Sequence, residues 1–207
     1  MRKKYEDNGI VLDFLPQGRP DDPRPIHLRE PIAQILGDSF FTLLEIVPKE
    51  GVKLSPHDRV SIKREDRAQV DRVKRRISYS ELTSAAKSEL LPAIREIVDE
   101  NPERFLEFFN KAGPVTSRFH QLELIPGIGK KLMWTILEER EKKPFESFED
   151  LKKRLKTIPD PREMIAKRIE VELRGADKYS IFVRPPAREH RPRWRGGGGE
   201  LSRRYSR

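Results

Sequence analysis

The sequence predicts an α+β protein of two domains: a small antiparallel β-barrel over residues 1–77 and an all-α domain over 78–178. Three observations predict it. The first third alternates short apolar runs with Gly- and Pro-rich turns, the pattern of strands. Near Ser78 the apolar period lengthens to that of helices. Finally, Leu124-Ile-Pro-Gly-Ile-Gly-Lys-Lys131 sets a glycine-rich turn inside the helical part, immediately before two lysines.

The strands follow in order. Gly9–Leu15 is the first, opened by a glycine. Pro16–Pro25 is a proline-dense polar loop through which neither helix nor ladder can continue. Ile32–Leu36 and Phe40–Val47 flank Gly37-Asp38-Ser39, which reads as a hairpin turn. Pro48–Gly51 is a second turn, Asp58–Lys63 alternates as a fourth strand, and Ala68–Val73 reads as a fifth. Short antiparallel strands of this kind suit a barrel, because closure removes exposed edges. An oligonucleotide-binding (OB-like) barrel is expected, with an SH3-like barrel as the alternative.

Ser78-Tyr-Ser-Glu81 has the form of a capping box ahead of Leu82, Ala85, Ala86, Leu90 and Leu91. Pro92 is expected to bend or break that helix. Asn101-Pro102 opens a helix carrying Phe105, Leu106, Phe108 and Phe109, closed by Gly113. Pro114–Thr116 is expected to begin the helix leading to the glycine turn, and Leu132–Lys142 is the helix after it. Pro144-Phe145 ends that helix, Ser147–Asp150 caps a short one, and Asp160-Pro161 caps the last, with Met164, Ile165, Ile169 and Leu173 on one face. Tyr179–Val183 reads as a strand returning to the barrel. From Arg184 an Arg- and Gly-rich tail offers too little apolar surface to fold.

The glycine turn carries the chemistry. Gly127 is expected in a backbone conformation disfavoured for residues with a Cβ, and Gly129 leaves the main chain open to a phosphate. Ile128 turns inward to hold the loop. The amides at the start of the following helix, aided by its dipole and by Lys130 and Lys131, then form an anion site. Contacts of this kind position a backbone without reading bases. No cofactor is expected beyond a monovalent cation that the turn itself can hold. In the tail, Arg188, Arg191, Arg193 and Arg195 with Trp194 between them resemble a phosphate-neutralising arm, the alternative being a solvated tail. Lys63-Arg64, Arg67, Arg72 and Lys74–Arg76 form a second basic stretch, with a solvated face as its alternative. Trp134, beside a core position, is expected to pack inward and not to serve as a base-stacking platform.

Composition sets the bounds. Forty-three Lys and Arg against 34 Asp and Glu leave a net charge of +9, which suits a polyanionic partner. The absence of cysteine excludes disulfides, thiolate metal sites and cysteine nucleophiles. No apolar run approaches a membrane span, so a cytoplasmic chain with no membrane partner is expected; it is also expected to be monomeric. The four histidines are scattered, and Asp21-Asp22 lies between prolines as a loop, not a metal pair. No catalytic constellation emerges, and an enzyme is not expected.

Residues from about His120 to Leu173 resemble a tandem helix-hairpin-helix domain, its first motif over 116–142 and a second over 147–174. The second lacks glycines: Ile158-Pro-Asp-Pro-Arg-Glu163 puts Asp160 where a phosphate would sit, so it reads as structural. Met133 stands where a small residue usually allows close packing, which implies a wider or rearranged contact. The chain to Val183 resembles an archaeal family of uncharacterised proteins that join a small barrel to such a domain. Phe40–Glu45, His120–Lys131 and Pro144–Asp150 carry that likeness. The resemblance implies a non-catalytic nucleic-acid-binding protein, with RNA slightly favoured over DNA. A scaffold that docks on protein partners in a ribosomal or repair complex is the alternative. A glycosylase- or lyase-type enzyme ranks below both.

Overall fold

A computed structural model describes residues 5–175 and 177–184. Five strands, β1 (Asn8–Leu15), β2 (Ile32–Gly37), β3 (Leu43–Pro48), β4 (Arg59–Ser61) and β5 (Val70–Arg76), form one antiparallel sheet in the order β4-β1-β2-β3-β5. The strands fall close to where the apolar alternation puts them. The barrel does not close: β4 and β5 occupy opposite ends of the sheet and do not pair, so the sheet curls into a half-barrel. Ladder shifts at Val11/Asp13 in β1 and at Glu45/Ile46 and Val47/Pro48 in β3 accompany the curl, as irregularities that increase local twist do.

Both faces of the sheet are buried, which its alternating side chains allow. Val11, Ala33, Ile35, Leu44, Ile46 and Val60 pack inside the curl. Ile10, Leu12, Leu36 and Leu43 face the other way and join a cluster that runs on through the helices. The helices are α1 (Ser84–Glu100), α2 (Pro102–Lys111), α3 (Lys130–Lys142), α4 (Phe148–Arg154) and α5 (Pro161–Leu173). α1 lies between sheet and helical layer, touching both β1 and α5. Its Ala86, Leu90, Ala93, Ile94 and Ile97 are completely buried.

Four local expectations are corrected. The Ser78 capping box closes a 3-10 turn over Tyr79–Glu81, and α1 starts later, where Thr83 Oγ1 accepts the Ala86 N–H at 3.0 Å. Pro92 does not break α1, which runs through it. One lost amide bond and the ring's steric cost are outweighed there by burial on both sides of the helix. Pro114–Thr116 begins no helix; it is β6 (Pro114–Thr116), paired with β7 (Phe119–His120) and followed by a 3-10 turn at Gln121–Leu124. Tyr179–Val183 forms no strand. The N–H groups of Ile181, Phe182 and Val183 donate instead to the carboxylate of Glu172 at 2.8–3.0 Å, leaving them unavailable to a ladder.

The third strand begins at Leu43, later than the apolar run that starts at Phe40, because another carboxylate intervenes. Glu6 accepts the N–H groups of Ser39, Phe40 and Thr42, and Phe41 takes a left-handed φ of 53°. Gly37 lets Glu6 reach them, since a Cβ there would lie 2.2 Å from Glu6 Cδ. Gly37→Ala is therefore expected to cost about 1–3 kcal/mol of stability, read as a lower midpoint of chemical denaturation.

A pH-dependent clamp ties the half-barrel to α1. His57, itself at φ 70°, places Nε2 3.0 Å from Glu89 and Nδ1 3.0 Å from Glu96, while Arg59 pairs with Glu96 and Glu100. Hydrogen bonding to Glu89 and Glu96 raises the His57 pKa above its ordinary value. The raised group stabilises the fold fully below the unfolded value of about 6.5 while the glutamates remain ionised. That stabilisation disappears as pH rises through the folded value. His57→Gln is expected to lower the melting temperature most near about pH 6, and the gap from wild type should narrow toward about pH 9.

Candidate functional site

The glycine turn is built from both sides. Before it, His120 and Glu123 cap the 3-10 turn: His120 Nδ1 accepts the Leu122 N–H at 3.1 Å, and Glu123 accepts the His120 N–H at 2.9 Å. Ile125 and Ile128 are buried and the Ile128 N–H donates to the Ile125 carbonyl at 3.0 Å, which pins the loop to the core. Gly127 sits at φ 92°, a region that side chains rarely enter. Gly129 then serves as the N-cap of α3, with its carbonyl accepting the Met133 N–H at 2.9 Å.

This helix start is open. Thr83, Ser147 and Asp160 cap α1, α4 and α5 with side-chain oxygens; no side chain caps α2 or α3, but α2 carries Glu103 in its first turn. A Cβ on Gly129 would meet nothing within 4 Å. Pro126, Gly127, Gly129, Lys130 and Lys131 are exposed while Ile128 points in, and no acidic residue lies in the first turn of α3. Free N–H groups, the positive end of the helix dipole and two ammonium groups thus converge on one accessible spot. Met133 is accommodated as a buried member of the main core.

The second turn packs beside the first. Pro159 Cγ and Met164 Cε lie 3.9 and 3.5 Å from where a Gly127 Cβ would stand. Asp160 caps α5 through the Arg162 N–H at 3.1 Å, the role its sequence context gave it. Arg168 on α5 buttresses the first turn from below, donating to the Leu124 carbonyl at 3.1 Å and to Glu172 at 2.8 Å.

Trp134 overturns its expected role. It does not pack inward: 60% of its surface is exposed, because α3 buries its neighbours Met133 and Ile136 and turns position 134 outward. The helical spacing of Met133, Ile136 and Leu137, which leaves position 134 about 100° off the Met133 direction, was the sequence signal that could have found it.

The basic stretch of the half-barrel divides. Arg72 pairs with Glu30 and Asp71, and Arg75 with Glu81 and the fully buried Glu45. Those cations serve the fold. Lys63, Arg64, Arg67 and Arg76 line a cavity of about 680 Å³ whose apolar wall includes Leu44, Ile62 and Val73. Burial and the neighbouring Arg184 hold the Arg76 guanidinium below its ordinary pKa. Asp21 and Asp22 are drawn into ion pairs with Arg19 and Arg24. No cluster of three or more His, Asp or Glu suited to a metal occurs among the described residues, and no helix among them is long and apolar enough to cross a membrane. Arg188, Arg191, Arg193, Trp194 and Arg195 lie outside the described residues.

Fold and site together define an α+β protein in which a curled, open antiparallel sheet carries a helical layer with an exposed, lysine-flanked glycine turn. The chain belongs to the family described as protein of unknown function (DUF655), which it matches over residues 5–184. It is 47% identical over 184 residues to an uncharacterised protein of Methanocaldococcus jannaschii, a match covering 88% of this chain and 82% of the relative. A crystal structure of a family member from Archaeoglobus fulgidus is similar at a TM-score of 0.80 and 48% identity. That likeness covers 86% of this chain and all of the other.

Proposed function

We propose that this is a non-catalytic nucleic-acid-binding protein that grips the phosphate backbone through the turn at Pro126–Lys131, without reading sequence. One observation carries the reading: the uncapped start of α3, with Gly129 open to solvent and Lys130 and Lys131 beside it. A phosphate placed there meets unpaired N–H groups, a favourable dipole and two cations. The turn has the form of a helix-hairpin-helix loop, although a 3-10 turn stands where the first helix would be. The proposal survives that change because the anion contacts come from the turn and α3. The cationic cavity of the half-barrel and the Arg-rich tail are assigned the supporting contacts that a single turn cannot supply.

Fluorescence anisotropy with labelled duplex DNA, single-stranded RNA and folded RNA tests the proposal. Saturable binding that weakens with added salt supports it, and absence of binding to all three at low salt overturns it.

A further inference from the structure

Among the large hydrophobic side chains of the described residues, Trp134 stands out in two ways: its exposure and its position. Among the described residues the exposed large hydrophobics are Tyr5, Ile26, Leu28 and Trp134, and Trp134 alone of these sits on a long helix. Neither aromatic ring nor cation covers its indole among the described residues. Leaving an indole in water gains the fold nothing, since its burial is what would stabilise it.

Its position gives the indole a use. Trp134 follows Lys130 by four residues and Lys131 by three, so all three share one face of α3 with Cβ atoms about 5–6 Å apart. Long side chains on a helix lean toward its N-terminus and cover the preceding turn. That lean directs the indole toward the first turn of α3, the side on which the amides and lysines of the glycine turn stand. The charge along this face is asymmetric: Lys130 and Lys131 flank the indole on the N-terminal side and the exposed Glu138 follows it on the C-terminal side. A polyanionic strand is thereby directed from the indole toward the turn and away from Glu138.

We infer that Trp134 is a stacking platform for an unpaired base whose neighbouring phosphate is held by the Gly129–Lys131 turn, so that the protein prefers single-stranded or looped nucleic acid to a continuous duplex. This rests on the reading of the turn as a phosphate site and adds the class of strand it takes. In an intact duplex each base is already stacked on its neighbours, so its π-face is unavailable to the indole. In a single strand any base can stack, whatever its sequence.

The chain contains two tryptophans, Trp134 and Trp194, so full-length protein carrying Trp194→Phe reports on Trp134 alone. Its emission is titrated with a short single-stranded RNA and with a blunt-ended, fully paired RNA duplex of equal phosphate number. Quenching by the single strand but not by the duplex is the expected result. Trp134→Ala should weaken single-strand binding roughly five- to hundredfold and leave duplex binding unchanged. Trp134→Phe should recover most of the loss.

The two readings fail separately. If Gly129→Asp abolishes binding while Trp134→Ala leaves single-strand affinity and strand preference intact, the platform is overturned and the phosphate site stands. If Gly129→Asp changes nothing, the phosphate site is overturned and the platform with it. Equal quenching by single strand and duplex also overturns the strand preference.

Discussion

Glu172→Ala is expected to destabilise the protein by about 3–5 kcal/mol, the cost of breaking a buried ion pair from one side. Glu172 is almost fully buried and accepts four hydrogen bonds: from Arg168 Nε at 2.8 Å and from the N–H groups of Ile181, Phe182 and Val183. Removing it strands three amides and weakens the anchoring of a buried guanidinium, which keeps Asp177 at 2.6 Å and the carbonyls of Leu124 and Tyr179. The effect extends to the candidate site. Arg168 fixes Leu124, two residues before Pro126, so loosening the pair frees the base of the glycine turn. Urea denaturation measures the loss. Glu172→Gln keeps an acceptor in place and should lose less, and an unchanged midpoint in the alanine variant would contradict this account of the anchor.

Gly129→Asp is expected to weaken every nucleic-acid ligand by roughly ten- to hundredfold, because it sets a carboxylate against the phosphate. Its effect on stability should have the opposite sign or none. Gly129 has φ −89° and ψ 175°, a conformation open to any residue, and a Cβ there meets nothing. As the N-cap of α3 it is a favoured place for aspartate, worth a few tenths of a kcal/mol over glycine. A variant at least as stable as wild type but unable to bind separates the site from the fold. At Gly127, by contrast, the positive φ makes any substitution strain the turn itself, so loss of binding there would say less.

Much of this was legible in the sequence, for identifiable reasons. All five strands of the sheet could be placed because short apolar or alternating runs stand between Gly- and Pro-rich turns. The inward Ile128, the positive φ of Gly127 and the cap at Asp160 followed from turn chemistry. What could not be read were features made by distant partners. The late start of β3 depends on Glu6, 37 residues before Leu43, and the absence of a final strand depends on Glu172 taking the amides of 181–183. Pro92 inside α1 shows burial overriding local propensity. The half-barrel stays open although its strands were foreseen, since closure depends on how β4 and β5 are placed and not on their patterning. Trp134 was misjudged for a different reason: adjacency in sequence to a core position says little on a helix, where the next residue is rotated by about 100°.

The central claim is that the protein holds a nucleic-acid backbone through phosphate contacts at the start of α3. The most direct test is the slope of log K against log salt concentration for wild-type protein on duplex DNA, measured by anisotropy. With about four to six phosphates engaged by the turn, the half-barrel cations and the tail, the slope should lie near roughly −4 to −5. Gly129→Asp should flatten it by about one phosphate's worth. A slope near zero, or one that Gly129→Asp leaves untouched together with affinity, would contradict the account.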